Sequence, residues 1–327
     1  MLRTSLCNVL GIEVPIIQAG MGRCTSAELV AAVSDAGGLG SLGCDLRPVE
    51  DLALQLSRIR ALTNRPFAVN HLLLTLNQKA FAATLHAKPR VISFTGGDPG
   101  DLVARAHDVG SLVIHQVHTV EQALQAVDRG VDAIIAQGGE AGGNSGAVGA
   151  LALVPQVVDA VRPIPVIAAG GIAEGRGLAA ALALGAQAIN IGTRFLASRE
   201  APISETWKQL IVRATSDEVI KFDAWNTINP PRVRGYGTGV LRVIRTPFVD
   251  RWQGRSQEVA QELDGIRSEV SAAAKQGLLH ELVPIAGQSA GLVHQILPAA
   301  EIVRRIIAEA RTTLQRCAEL STEPYGV

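Results

Sequence analysis

Across 327 residues, thirty basic side chains offset thirty acidic ones, so no global field draws the chain to nucleic acid or an anionic membrane surface, and any anion site has to be local. Hydrophobic residues make up 47% and aromatic residues only 3%, which argues against base-stacking platforms and suits a parallel sheet filled with Ala, Val, Leu and Ile. Cys7, Cys24, Cys44 and Cys317 form no CxxC pair, so reduced thiols and a cytoplasmic location are expected, with no disulfide framework and no metal site.

The N-terminal MLRTSLCNVLGIEVP has no sustained apolar core and no run of about 18 apolar residues occurs, so neither export nor a membrane span is expected. Val14 to Gln18 reads as a buried strand running into Ala19-Gly20-Met21-Gly22. Ser26 is placed to cap a helix through Ala36, with Glu28 in its first turn and Gly37-Gly38 ending it. Leu39 to Leu42 forms a second strand, and after Arg47-Pro48 comes a helix with Leu52, Leu54, Leu56 and Ile59 in loose period. Pro66 to Asn70 is a strand, followed by a helix near Leu76 to His86 and a strand from Val91 to Phe94 ending at Thr95-Gly96-Gly97. Asp98 and Pro99 then read as the N-cap and first residue of a helix. Further strands fall at Ser111 to Gln116, Ala133 to Gln137, Pro165 to Ala169 and Ala188 to Ile191, with helices such as Val120 to Asp128, Val154 to Val161 and Leu178 to Leu184 between them.

Eight short apolar strands alternating with helices predict parallel pairing, and the count favours a closed (β/α)8 TIM barrel over an open doubly wound sheet. From Pro202 to about Gly277 no clear strand is read; Val259, Leu263, Ile266 and Val270 mark one face of an amphipathic helix. Ile285 to Gly291 then leads into a long helix carrying Leu292, Ile296, Val303 and Ile307. The expected organisation is a barrel over 1–201, a mainly helical lid over 202–284, and a segment over 285–327 that returns to the barrel.

Polar and glycine residues gather at the strand ends, at Gln18-Ala19-Gly20, Asn70, Thr95-Gly96, His115, Gln137-Gly138, Gly170-Gly171 and Gly192-Thr193; a barrel brings those ends to one rim, where active sites lie. From Gln137 to Gly149 the chain reads QGGEAGGNSGAVG, six glycines around Glu140, Asn144 and Ser145. Turning alone needs one or two, so the loop reads as facing a cofactor or substrate. Gly170-Gly171 and Gly192-Thr193 end the last two strands, where barrels commonly bind phosphate on backbone N–H groups. Gly20 and Gly22 give part of a GxGxxG pattern, but Thr25 breaks it. Cys24 and Cys44 have no base adjacent in sequence and read as buried thiols. Arg232, Arg234, Arg242, Arg245 and Arg251 read either as an anion patch over the mouth or as a solvated face.

The runs VPIIQAGM, FAVN, VIHQV, QGGEAGGNSG, IPVIAAGGIAEGRG, INIGTRFLAS and IAGQSAGL, in this order, resemble the nitronate monooxygenase (2-nitropropane dioxygenase) family and its relatives, the FMN-dependent enoyl-thioester reductases and NADH:quinone reductases. The resemblance spans nearly the whole chain and implies an FMN-binding barrel with a helical subdomain over its mouth. It implies that Gln18, Ala19, Gly20, Met21 and Asn70 lie along the isoalloxazine, that Gly170, Gly171, Gly192 and Thr193 hold the phosphate, and that Gln137 approaches the ribityl or phosphate region. Gln288 and Ser289 border the flavin, and Gly142 and Gly143 belong to the same cofactor-facing loop. Small-molecule substrates with O2 or NAD(P)H as co-substrate follow from it, and a homodimer is compatible with it.

One departure bears on chemistry. The family loop usually reads EAGGH, and Asn144 stands at the histidine position. An amide can orient a nitro or carbonyl oxygen but cannot take a proton near neutral pH. The expectation is therefore oxidation of preformed nitronates with Asn144 orienting the substrate. The alternatives are an NAD(P)H-consuming reductase of quinones or enoyl thioesters, and a flavin-binding protein without redox turnover. His115, and beside it His71 and His118, are the histidines that strand ends could bring to the rim as substitute proton carriers.

Overall fold

The computed structural model describes residues 2–230 and 239–322. Its strands are β1 (Ile16–Gln18), β2 (Gly40–Gly43), β3 (Phe67–Leu72), β4 (Val91–Thr95), β5 (Leu112–Val117), β6 (Ala133–Gln137), β7 (Gly143–Ser145), β8 (Val166–Ala169), β9 (Ala188–Ile191), β10 (Val219–Lys221) and β11 (Val240–Ile244). Eight of them form one parallel sheet in the order β1-β9-β8-β6-β5-β4-β3-β2. The sheet closes on itself where Ile17 bridges Leu39: Gln18 N–H donates to Leu39 O at 2.9 Å and Leu39 N–H to Ile16 O at 2.9 Å. The fold is a TIM barrel.

Strand alternation divides the apolar residues into two layers. Ile17, Leu39, Ala68, Val91, Ile114, Ile135, Ile167 and Ala188 fill the interior, and Leu6, Cys7 and Leu10 of the helix Ser5–Leu10 join the same cluster. Ile16, Ile92, Phe94, Val113, Ile134, Val166 and Ile189 point outward against Leu29, Phe81, Val103, Val157 and Leu178 of the surrounding helices. Helix starts follow the polar caps: Ser26 accepts from Leu29 N–H, Asn77 from Lys79 and Ala80 N–H, and Thr119 from Gln122 N–H. Asp98 does not cap as expected. The next helix is Leu102–His107, and Asp98 Oδ1 instead accepts from Gly100 N–H at 2.9 Å while its carboxylate pairs with Arg129 at 2.6 Å. Asp98-Pro99 is thus a turn, and the helix waits for Asp101.

The stretch after β9 also departs from expectation. It holds two strands, β10 and β11, which pair antiparallel with each other, and β11 pairs antiparallel with β7 of the glycine loop. Three-residue and five-residue strands this short show no length of alternation to read. Val259, Leu263, Ile266 and Val270 do share one apolar cluster with Phe222, Val243 and Phe248, but the chain breaks at Glu262 into the helices Ser256–Gln261 and Leu263–Lys275. The long helix begins later than expected, at Ala299, behind Pro298, so Leu292 and Ile296 precede it. It packs against the helices Gly175–Ala183 and Ala27–Asp35. At that crossing Gly175 leaves no room for a side chain, since a Cβ would lie 2.3 Å from Ala310 N.

Candidate active site

Inside the barrel, the inward series on five strands turns from apolar to polar toward the C-terminal ends of the strands. Leu39 gives way two residues on to Ser41, Ala68 to Asn70, Val91 to Ser93 and Thr95, Ile114 to Gln116, and Ala188 to Asn190. These polar groups, with Ala19 and Gly20, line a small cavity of about 30 Å³, floored by Ile17, Val91, Ile114 and Ile135. Of the expected site residues, Ala19, Gly20 and Asn70 are in this wall. Ser41, Ser93, Thr95, Gln116 and Asn190 are additional to them, and the signal that marks them is a polar residue two positions beyond an inward apolar one.

Gly20 and Asn70 fit together. A Cβ on Gly20 would come 2.3 Å from Asn70 Cβ and 3.1 Å from Ser41 Oγ. Asn70 Nδ2 donates to Ser93 Oγ at 3.0 Å and Thr95 Oγ1 at 3.2 Å, which fixes the amide against β4. Gln18 is fully buried and clasps the closing seam: its Oε1 accepts from Ser41 N–H at 2.9 Å and its Nε2 donates to Ser41 O at 3.1 Å and to Ala19 O. Its side chain is committed to the wall itself, and Met21 packs on the apolar clusters beside the mouth.

The histidines separate by strand parity. His115 sits on the outer face of β5, opposite in parity to Gln116, and packs beneath the helices; its Nδ1 is buried without a hydrogen-bond partner among the described residues. Burial holds it down to about pKa 4, against weaker upward pulls from the Asp98 carboxylate and the Gly97 backbone. The expectation of His115 as a rim proton carrier does not match this position. His71 also faces outward, 5.5 Å from the Phe81 ring, and burial lowers it to about 4. Thr84 Oγ1 donates to Ala80 O, so His71 Nε2 is the donor in its 3.0 Å bond to Thr84. Cys44 lies 3.8 Å from that nitrogen, and burial pushes its thiol up to about 12, as it pushes Cys24 up to about 11. Neither cysteine is an activated nucleophile. His118 alone among these histidines reaches inward, with Nε2 2.7 Å from Gln137 Oε1.

Most glycines of the loop after β6 serve close packing. A Cβ on Gly138 would meet Ala150 N at 2.5 Å, on Gly142 Gly287 N at 2.7 Å, and on Gly146 His118 Cβ at 2.8 Å. Gly143 alone of them faces open space and has positive φ, +71°. Glu140 caps the helix Ala150–Ala160, accepting from Ala150 N–H at 2.9 Å. Buried Arg242 forks onto Gly139 O with Nε at 3.2 Å and Nη2 at 2.8 Å, and donates to Val219 O at 2.7 Å. Asn144 is exposed in β7, paired in register with Leu241, and is not part of the cavity wall. Of the arginine set, Arg242 is a structural clamp, Arg245 pairs with Asp250 at 2.8 Å and Arg251 with Glu269 at 3.8 Å, while Arg232 and Arg234 lie outside the described residues.

At the corner after β8 and β9, Gly170 and Gly171 take φ of +94° and +73°. Gly192 precedes the short helix Thr193–Leu196, and Thr193 Oγ1 accepts from Gly287 N–H at 2.8 Å. Gln288 N–H donates to Glu140 O at 2.9 Å, which brings Gln288 and buried Ser289 beside the glycine loop. The helix after Gly170-Gly171 is capped from elsewhere: Gly175 N–H donates to Glu309 Oε2 at 2.7 Å. Any phosphate here is left with the glycine-corner N–H groups.

These residues fit a planar polar cofactor seated on the rim. Gly20 has no Cβ to crowd Asn70 and Ser41 in the wall, and Ser41 Oγ is buried without a partner among the described residues. The sequence matches the nitronate monooxygenase family over residues 3–83 and 75–309. The chain belongs to that family and is an oxidoreductase. It is 37% identical over 78% of its length to a (3aS,4S,5R,7aS)-5-hydroxy-7a-methyl-1-oxo-octahydro-1H-indene-4-carboxyl-CoA dehydrogenase of Mycobacterium tuberculosis, covering 70% of that protein. It is 30% identical over 96% of its length to a probable nitronate monooxygenase of Staphylococcus saprophyticus, covering 99% of it. Among solved structures, FabK from Thermotoga maritima superposes with TM-score 0.87 at 34% identity, over 98% of this chain and all of that one. A nitroalkane oxidase from Streptomyces ansochromogenes superposes with TM-score 0.82 at 28% identity, over 95% and 99%. Among the described residues no helix is long and apolar enough to cross a membrane.

Proposed function

We propose that the chain is an FMN-dependent oxidoreductase that oxidises preformed alkyl nitronates, or similarly electron-rich anions, with O2. The observation that carries this reading is the chemistry of the cavity wall. Its polar side chains, Ser41, Asn70, Ser93, Thr95, Gln116 and Asn190, are all neutral hydroxyls and amides, and Asn144 occupies the family's histidine position. Such groups orient oxygens and exclude water but abstract no proton near neutral pH. A nitronate arrives already deprotonated, so it asks for no base. FMN, when bound, supplies two-electron acceptance and the passage of electrons to O2.

In this reading Ala19, Gly20, Met21 and Asn70 hold the ring, with Gln18 keeping the wall beneath it closed. Gly170, Gly171, Gly192 and Thr193 present backbone N–H groups to the phosphate. Gln137, Gln288 and Ser289 border the cofactor. Gly142 and Gly143 let the loop pass close over it, and Asn144 orients the substrate. The segment 202–284 acts as the lid. A second reading, an NAD(P)H-dependent reductase acting on a quinone or thioester, is favoured by the 37% identity to an enzyme named for a carboxyl-CoA compound. Anaerobic stopped-flow mixing separates the two. Bleaching of the flavin spectrum by alkyl nitronate, and not by NADH or NADPH, supports the first reading; rapid bleaching by a nicotinamide nucleotide replaces it with the second. A purified protein that neither carries a flavin spectrum nor takes up FMN removes both.

A further inference from the structure

The inward series on β5 and β6 continues one layer above the cavity wall. Gln116 is paired in register with Ile135, so the next inward positions are His118 and Gln137, at the rim. His118 Nε2 lies 2.7 Å from Gln137 Oε1. A carboxamide oxygen only accepts, so the ring holds its proton on Nε2, and the amide is left to present its N–H2 group on the side away from the imidazole. Gln137 is paired with Ala169, and Gly138 N–H donates to Ala169 O at 2.8 Å, so this amide stands beside the Gly170-Gly171 corner.

The imidazole is held by the chain around it. His118 N–H donates to Gln122 Oε1 at 2.8 Å, while Thr119 Oγ1 accepts from Gln122 N–H at 3.2 Å, which locks the first turn of the helix Val120–Asp128 onto His118. On its other side the glycine loop lies against it, since a Cβ on Gly146 would come 2.8 Å from His118 Cβ. Ring and amide together form a small rigid unit whose outer end is a hydrogen-bond donor.

We infer that His118 is a positioning residue: it fixes the Gln137 carboxamide so that its N–H2 group donates to an oxygen of the phosphate-ribityl arm of FMN. This rests on the FMN reading above. Without the histidine donor, the amide turns over freely and spends part of its time presenting a carbonyl oxygen to an anion. The experiment is titration of the apoprotein with FMN and with riboflavin, followed by flavin fluorescence, alongside thermal unfolding of each variant. His118→Leu is expected to weaken FMN binding about tenfold, the scale of one hydrogen bond to a charged group. His118→Asn, whose amide can still donate, recovers most of that loss. Gln137→Glu keeps an acceptor for His118 but turns a donor into an anion, so it weakens FMN more than His118→Leu does, and riboflavin less than FMN.

The double variant His118→Leu with Gln137→Leu is expected to bind no worse than Gln137→Leu alone. Unchanged FMN affinity in folded His118→Leu, additivity in the double variant, or wild-type affinity in Gln137→Glu overturns the inference while leaving the FMN reading intact. Wild-type protein that binds no FMN overturns both.

Discussion

Replacing Gly20 by alanine tests whether the rim next to Asn70 is shaped for a cofactor. The new Cβ would lie 2.3 Å from Asn70 Cβ and 3.1 Å from Asn70 Cγ and Ser41 Oγ. Carbon atoms prefer roughly 3.5–4.0 Å, so more than an ångström has to be opened. Asn70 cannot give way toward β4, where Ser93 and Thr95 hold its amide. It is pushed into the cavity instead, against the face that the flavin ring occupies in the proposed complex. Overpacking of this kind costs about 1–3 kcal/mol, and where the bound state bears it the FMN dissociation constant rises by roughly 5- to 150-fold. Fluorescence titration of apoprotein with FMN measures the change. Gly265→Ala is the control: the residue sits in the helix Leu263–Lys275 with nothing within 4 Å of where the new methyl group would lie, and the change is expected to leave FMN affinity unchanged and to stabilise by about 0.5–1 kcal/mol. Wild-type FMN affinity in Gly20→Ala would refute the reasoning.

Three further outcomes follow from the same geometry. His71 and His115 are each held to about pKa 4 by burial, so the unfolded chain binds more protons than the folded one between pH 4 and 6.5, and stability falls as pH drops through that window, by on the order of 3 kcal/mol per histidine. Urea unfolding at a series of pH values measures the slope, and His115→Leu is expected to flatten it; an unchanged slope counts against the buried neutral imidazole. Arg242→Met removes three bonds to the carbonyls of Gly139 and Val219 and is expected to destabilise by about 2–4 kcal/mol, with Arg242→Lys recovering less than half because a single ammonium cannot fork; chemical denaturation is the check. Asn144→His places an exposed imidazole, with an ordinary pKa near 6.5, at the family position, and is expected to confer turnover of neutral nitroalkanes that rises through that pH by about 10²-fold or more. An oxygen-uptake assay that detects no gain argues that residue 144 does not reach the substrate.

The barrel was legible because its strands are written as short apolar runs between capped helices, and Ser26 and the strand ends at Gln18 and Gln137 were readable from pattern alone, whereas β3 runs two residues past Asn70 to Leu72. The cavity wall was half legible. Asn70 stood out beside glycine-rich ends, whereas Ser41, Ser93 and Gln116 look like ordinary strand residues until their parity relative to Leu39, Val91 and Ile114 is known. Parity also decides the histidines: His115 and Gln116 are neighbours in sequence and lie on opposite faces of β5. The strands β10 and β11 were illegible because one is three residues long and the other pairs with a glycine loop far away in sequence, a partner that local periodicity cannot name.

That pairing changes the meaning of the glycine loop. Gly138, Gly142 and Gly146 are small where Ala150, Gly287 and His118 press on them, so close contacts between chain segments account for part of the glycine density. The loop thereby links the eight-stranded sheet to the three-stranded sheet β10-β11-β7. Through Glu140 it is tied to a barrel helix, and through Arg242 and the β7–β11 ladder it is tied to the segment after β9. Asn144 lies on that link, with Leu241 as its register partner. A side chain at this position is therefore placed by the β7–β11 ladder and not by the barrel strands that carry the cavity wall. The neutral wall and the substitution at 144 then point in the same direction under the proposed function: neither the cavity-wall side chains nor residue 144 carries a base, as a substrate that arrives already deprotonated would allow.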